Sequence, residues 1–278
     1  ACTNVPGTFS CACAVGYKGN GYLCSKDTDC GGTCDTNASC KPSPGKASAC
    51  VCNPGFSGSA TICFAVPATV TLHAISISPY DPDDNKTWDG GVIPESDRLE
   101  FQELLKAAGE AYATGNYVAL IPAVTKLAGF LSSMTSPPDP IGTATLMSQG
   151  KTVQTFKLAK IGNTLTPFWP GISWSGVTVD ASTSLTVDLY DSDVMYDDPI
   201  GKVSVAGFEL QQALVFGKVL PIGVSKQGKG GITFVQVQVT PVYVCGNGQC
   251  DKAAGENSVN CPLDCGGSTG GGGGDGHF

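Results

Sequence analysis

Residues 64–244 contain no cysteine, although the chain carries 14 in its 278 residues. Every cysteine lies near an end, from Cys2 to Cys63 or from Cys245 to Cys265. Thiols at that density pair in an oxidising compartment, so the pattern excludes an ordinary cytosolic protein and places the chain outside the cell or at its surface. It also separates a stapled head and a stapled tail, each too small to fold on apolar burial alone, from a body long enough for its own core. Histidine is almost absent, with only His73 and His277. There is no Cys-x-x-Cys-His, Gly-x-Ser-x-Gly, phosphate-loop or His-Glu-x-x-His pattern, so neither covalent haem nor a familiar catalytic centre is expected, and the chain is read as a non-enzyme. Positive charge is scarce: 16 Lys and Arg stand against 24 Asp and Glu, a net charge of −8, which argues against nucleic acid as a partner. No apolar run approaches the roughly 20 residues of a membrane-spanning helix. The start at Ala1-Cys2 is expected to mark a mature or truncated product.

What is present begins with the head. Phe9-Ser10-Cys11-Ala12-Cys13, then Gly16-Tyr17-Lys18-Gly19 and Cys24, resembles the second half of an EGF-like module. Cys30, Cys34, Cys40, Cys50, Cys52 and Cys63 resemble a complete one. The resemblance implies a partial module over 1–25 and a full module over 26–64 with bridges Cys30–Cys40, Cys34–Cys50 and Cys52–Cys63. Each such bridge stabilises by about 2–4 kcal/mol, chiefly by restricting the unfolded chain. It also implies Cys13–Cys24 and leaves Cys2 and Cys11 without their usual partners. They pair with each other, which is favoured, with another chain, or with residues preceding Ala1. Asn4 falls where calcium-binding EGF modules place a side-chain ligand, but the acidic ligands that accompany it are missing, so a turn role is favoured. The second module has Pro42 at that position and is expected to bind no calcium there. Asn37-Ala38-Ser39 and Asn85-Lys86-Thr87 are glycosylation sequons, usable only in an organism that glycosylates them.

The tail, Cys245-Gly-Asn-Gly-Gln-Cys250 through Gly255-Glu256 to Cys261-Pro-Leu-Asp264-Cys265, resembles a short cysteine repeat of secreted proteins from myxobacteria and related groups, implying a bacterial surface setting. Four cysteines also make a zinc set, but the spacings and the oxidising context favour two disulfides over 245–265. Asp251, Glu256, Asn257 and Asp264 are candidates for a small calcium site. Residues 266–278 are Gly-rich and read as a flexible linker or processed end.

In the body, alternating β-branched stretches predict strands at Val70–Ile77, Thr143–Met147, Thr152–Leu158, Leu185–Leu189, Val203–Val205 and Ile232–Val239. Short strands without intervening helices argue for an antiparallel sandwich. Asn163-Thr-Leu-Thr-Pro167-Phe-Trp169 resembles the Asn-Thr-Leu-x-Pro-x-Trp stretch of C2 domains, and Leu185 through Asp191, Asp193, Asp197 and Asp198 to Ile200-Gly201 resembles their third calcium loop and the strand after it. That resemblance implies calcium ligands at Asp191, Asp193 and Asp198, with Asp197 weaker, and two more from a first loop matched best by Asp89 and Asp139. Asp81, Asp83 and Asp84 are further ligands or a solubilising run. Calcium takes 6–8 hard oxygen ligands, and five crowded carboxylates without a cation would repel one another. An acidic turn alone is usually a solvated turn; the Trp169 and Ile200-Gly201 matches favour calcium.

The chain departs from that family between Asp89 and Asp139, where nearly fifty residues replace a short loop. Ser96 or Asp97 is a candidate N-cap, and Leu99, Leu104, Leu105, Ala108 and Tyr112 follow at helical spacing. After Gly115-Asn116 come Leu120, Val124, Leu127 and Phe130, with Pro122 near the start of the second run. A helical hairpin over about 94–133 is predicted, projecting from the calcium-loop end, its apolar side buried on the sandwich or on another molecule.

The expected fold is therefore mainly β: a C2-like antiparallel β-sandwich over 65–244 with a helical-hairpin insertion, flanked by small disulfide-rich modules. The expected function is that of a secreted, calcium-binding structural or adhesive protein that associates with copies of itself into a fibre or surface assembly, with other cell-surface proteins or glycans as further partners. The competing class is a secreted calcium-dependent membrane- or ligand-binding module. Met195 and Tyr196 would serve it as loop tips, although no polybasic strand accompanies them.

Overall fold

The structure is a computed structural model that describes residues 2–5, 8–11, 17–19, 24–26, 30, 34–43, 46–53, 55–58, 61–81, 86–193, 197–224, 230–243, 249–252, 256–259 and 261–266. The chain is mainly β and divides into two compact units, residues 1–66 with 243–278, and residues 67–242.

The first unit is made of short antiparallel hairpins: β1 (Cys2–Val5) with β2 (Thr8–Cys11), β3 (Tyr17–Gly19) with β4 (Cys24–Lys26), β5 (Ala38–Ser43) with β6 (Lys46–Cys52), and β7 (Phe56–Gly58) with β8 (Cys63–Ala65). Strands this short bury little, and cross-links replace a core. Cys30–Cys40, Cys34–Cys50 and Cys52–Cys63 are bonded, the set that the EGF resemblance implies. Cys40 and Cys50 stand opposite each other on β5 and β6, so their bridges to Cys30 and Cys34 tie the preceding segment across this hairpin. The β1–β2 register sets Cys2 opposite Cys11; their side chains, that of Asn4 and the Cys13–Cys24 bridge lie outside what is described. In the tail Cys250 is bonded to Cys265, and Cys261 is also disulfide-bonded. No cysteine among the described residues is free. Val66, Tyr243 and Cys261 form a small buried cluster against which Cys265 packs.

The second unit is a two-sheet sandwich. One sheet has the order β12 (Ser173–Thr178), β9 (Pro67–Ile77), β16 (Ile232–Pro241), β15 (Leu220–Gly223); the other has β11 (Lys151–Leu158), β10 (Pro140–Ser148), β13 (Ser184–Asp191), β14 (Asp198–Ala206). Every pairing is antiparallel. Side chains alternate across a strand, so one set meets the facing sheet. Along β9 the buried set is Ala68, Val70 and Leu72, then Ile75 and Ile77. The change of phase coincides with a register shift against Gln236 and Val237, which leaves His73 as the additional residue. Its Nε2 lies 3.1 Å from Oε1 of Gln238. Buried Trp174 and half-buried Phe156 meet edge to face at 5.2 Å at the margin of the core.

Between β9 and β10 run α1 (Glu95–Ala113) and α2 (Tyr117–Leu131), the predicted hairpin. The N-cap of α1 is Pro94 and uses no side-chain hydrogen bond, so Ser96 and Asp97 lie inside the first turn rather than before it. Pro94 supplies a fixed φ, and acidic side chains in the first turn suit the positive end of the helix. At α2 the Asn116 side chain caps the helix by accepting the amide of Ala119 at 3.2 Å. Phe101, Ala108, Leu120, Val124, Leu127 and Leu131 are buried in the same core cluster as the sandwich strands, so the hairpin's apolar side is covered by its own unit. Burying each large side chain of this set contributes roughly 1.5–3 kcal/mol.

The contact runs through β15 and a helix that the sequence pattern did not predict, α3 (Gly207–Phe216). The Tyr112 ring leaves no ordinary space for a side chain at Gly223, and its hydroxyl donates to Oε1 of Glu209. The other oxygen of Glu209 accepts the Ala206 amide at 2.8 Å. Burial, then the bond to Glu209, pushes the Tyr112 hydroxyl far above the ordinary tyrosine range. Tyr117 adds a hydroxyl bond to Gln212 at 2.9 Å and a ring contact with Phe216 at 5.4 Å.

Candidate metal centre

The inward alternation of β13 creates the site. Leu185, Val187 and Leu189 are fully buried, and the next residue in phase is Asp191, 2% exposed. A strand that has placed three aliphatic side chains in the core thus ends by placing a carboxylate there. Oxygen atoms of Asp89, Asp191 and Asp193 lie within 4.8 Å of one another, with Asp89 and Asp193 exposed.

Asp89 reaches this position through a tight turn. Thr87 accepts the Gly90 amide on its carbonyl at 2.8 Å and the Gly91 amide on its Oγ1 at 2.6 Å. Gly90 has φ +77, a conformation that L side chains rarely adopt. The neighbouring Trp88 is buried, donates to the Ser78 carbonyl at 2.9 Å, and occupies the space that a Cβ on Gly231 would need. Trp88 therefore anchors the entry to the long insertion, and Asp89 stays beside the other carboxylates although the hairpin follows it.

Asp139 is the exit of that insertion and a backbone hub. Its amide donates to Oδ1 of Asp191 at 2.6 Å, and its carbonyl accepts the Ser192 amide at 3.1 Å. Its own carboxylate turns elsewhere: Oδ1 accepts the Asn163 amide at 2.7 Å, and Oδ2 lies 2.7 Å from Lys160 Nζ. Lys160 also donates to the Ser192 carbonyl at 2.9 Å. One lysine on the 159–172 loop thus joins the 78–139 and 192–197 loops. A pattern of oxygen ligands does not single out Lys160.

Asp198 opens β14 opposite Asp191, exposed and outside the three-carboxylate group; Asp197 is exposed as well. Asp83, Asp84, Met195 and Tyr196 lie outside the described residues. Trp169 is buried, and its indole donates to the Ala159 carbonyl at 2.7 Å, fixing the base of the loop that carries Lys160.

The electrostatics divide the acids. Burial pushes the Asp191 carboxyl above its ordinary range; the Asp139 amide bond opposes this, and the charges of Asp193, Asp89 and Asp139 add to it. Asp139 is held below the ordinary range by Lys160 first and by the Asn163 amide second. Lys160 is raised by the Asp139 bond, with further contributions from the charges of Asp191 and Asp193. Three hard carboxylates from two chain segments, one of them desolvated, suit a divalent cation such as calcium. Soft metals prefer thiolate or imidazole, and the group contains neither.

No protein-family model matches the chain. Over 48 residues it is 44% identical to thrombospondin-4-B of Danio rerio, a stretch that spans 17% of this chain and 5% of that protein. Solved structures similar to it include the C2A domain of a plant extended synaptotagmin 1, at 10% identity and TM-score 0.32, covering 63% of this chain and 92% of that one. The calcium-bound C2A and C2B domains of extended synaptotagmin 2 match at 13% identity and TM-score 0.32, over 63% of this chain and 45% of that one.

Proposed function

We propose that this is an extracellular calcium-binding protein in which one ion ties together the loops at one end of the sandwich. The observation that carries the reading is Asp191, a carboxylate held in core-facing register beside Asp89 and Asp193. Those three residues would hold the ion, with Asp139 and Asp198 flanking it. Calcium, when bound, supplies the positive charge that lets these carboxylates sit together. Asp139 orients Asp191 through its amide, and Lys160 holds Asp139. Calorimetric titration of the full chain is expected to show calcium binding whose sandwich component is lost in Asp191→Asn. A titration that Asp191→Asn leaves unchanged, or absence of binding at roughly 1 mM calcium, the weak end for extracellular modules, would overturn the reading.

The finer part of the proposal is a structural role in a self-associating surface assembly or fibre. Leu99 on α1 and Val118 and Ile121 on α2 are exposed apolar side chains on the hairpin, and the disulfides of the other unit suit an extracellular spacer. Sedimentation across a concentration series with calcium is expected to show species larger than the monomer; a monomer at every concentration would remove this part. A second reading, calcium-dependent membrane binding, is favoured by Val92, 89% exposed and three residues beyond Asp89. Calcium-dependent flotation with anionic liposomes would establish it in place of the assembly.

A further inference from the structure

The tail contains a second carboxylate whose surroundings are incomplete. Glu256 is 2% exposed. Its Oε2 accepts the Asp251 amide at 2.5 Å, whereas Oε1 is buried without a hydrogen-bond partner. A buried carboxylate oxygen with no donor is strongly disfavoured, and natural proteins complete such a group with a donor, a water or a cation. Within 4.8 Å of one another lie a carboxylate oxygen of Glu256, one of Asp264, and Sγ of Cys261. Cys261 is disulfide-bonded, so its sulfur is not a thiolate ligand, and the hard donors here are oxygens alone.

Local backbone hydrogen bonds order the segment that carries the two acids. The Glu256 amide donates to the Asp251 carbonyl at 3.0 Å, the Cys261 amide to the Asn257 carbonyl at 2.8 Å, and the Asp264 amide to the Cys261 carbonyl at 3.2 Å. The Cys250–Cys265 bridge closes the segment around them. Oxygens bound to one calcium at about 2.3–2.6 Å are at most about 5 Å apart, which the Glu256–Asp264 separation satisfies.

We propose that the tail binds its own calcium ion through Glu256 Oε1 and the Asp264 carboxylate, with water and backbone carbonyls completing the shell. This site is separate from the carboxylates of the sandwich and does not depend on them. The test is hydrogen exchange of the full, oxidised chain, read on the peptide covering 249–265, with chelator or with roughly 1 mM calcium chloride, the range of extracellular modules. Calcium is expected to slow exchange there several-fold in the native chain and in Asp191→Asn, and to have no such effect in Glu256→Gln or Asp264→Asn. The second variant keeps the test valid where loss of the buried Glu256 charge prevents the tail from folding. The proposal is overturned by an unchanged exchange rate in the native chain, by protection that survives both tail substitutions, or by protection that disappears in Asp191→Asn.

Discussion

The disulfide-bonded unit and the carboxylate end of the sandwich both need chain segments held together across turns and loops, and they are held by opposite chemistry. In the first, Cys30–Cys40, Cys34–Cys50 and Cys52–Cys63 fix short hairpins covalently and independently of any ion. In the second, Asp89 from one loop repels Asp191 and Asp193, from the end of β13 and the loop after it, with Lys160 bonded to the neighbouring Asp139 as the nearby positive charge. The contrast teaches that covalent closure gives order without a signal, whereas carboxylate closure gives order that follows the concentration of a cation.

Removing one bridge is expected to have the largest effect. Cys34→Ala with Cys50→Ala should cost the disulfide-bonded unit about 2–5 kcal/mol. The sandwich, with its own core, should melt unchanged. Calorimetry should then show one transition lost or lowered and one retained; a single merged transition would break the comparison. On the other side, Asp191→Asn should lower calcium affinity by at least about 100-fold, beyond the 10–100-fold typical of losing a residue that only supports a ligand. It should also remove the calcium-induced rise in the sandwich melting temperature. Asp139→Asn, which supports Asp191 through its neighbours, should fall within that smaller range.

The alternation of the body strands was legible, because Leu185, Val187 and Leu189 already establish the phase that carries Asp191 inward. The hairpin was legible from its 3.6-residue spacing, and its one break falls where Gly115 and Asn116 separate α1 from α2. Three elements were not. β15 is four residues long and contains Pro221; β12 contains Gly176 at φ +72 within a register shift; and α3 is a ten-residue helix begun by a glycine directly after a strand. Each owes its state to tertiary contacts more than to local preference. The role of Lys160 was hidden for another reason. Its partners, Asp139 and Ser192, lie on different loops, and no spacing rule links a lysine to both.

Lys160→Met sharpens the comparison further, with a smaller expected change. It removes a positive charge from beside the carboxylates, so calcium should bind roughly three- to tenfold more tightly, the scale expected of a partly screened charge at several ångströms. The same substitution frees Asp139 and the Ser192 carbonyl, so the calcium-free sandwich should melt slightly earlier. Lys160 is about half exposed, so solvent screening keeps that loss small. Unchanged affinity would mean that Lys160 is only a loop strut.

The smallest expected effect is on pH, and its sign follows from Asp191. Burial raises its carboxyl above the unfolded value, so in the calcium-free protein the folded state holds a proton that the unfolded state has released. The associated stability is present below about pH 4, the ordinary carboxyl value, and is lost as pH rises through the raised one. Asp139, held low by Lys160, acts in the opposite direction, contributing stability that is lost as pH falls below the ordinary range. With chelator present, the sandwich transition of Asp191→Asn should therefore gain on that of the native chain as pH rises from about 4 towards neutrality. Calcium should reverse the difference in slope, because it binds the ionised Asp191 of the native chain and is lost from Asp191→Asn, while the disulfide-bonded unit, melted in the same scans, should show no calcium-dependent change in slope arising from this carboxyl. A calcium-free native sandwich that becomes steadily more stable over that interval relative to Asp191→Asn would show that the Asp139 amide, rather than burial, governs Asp191.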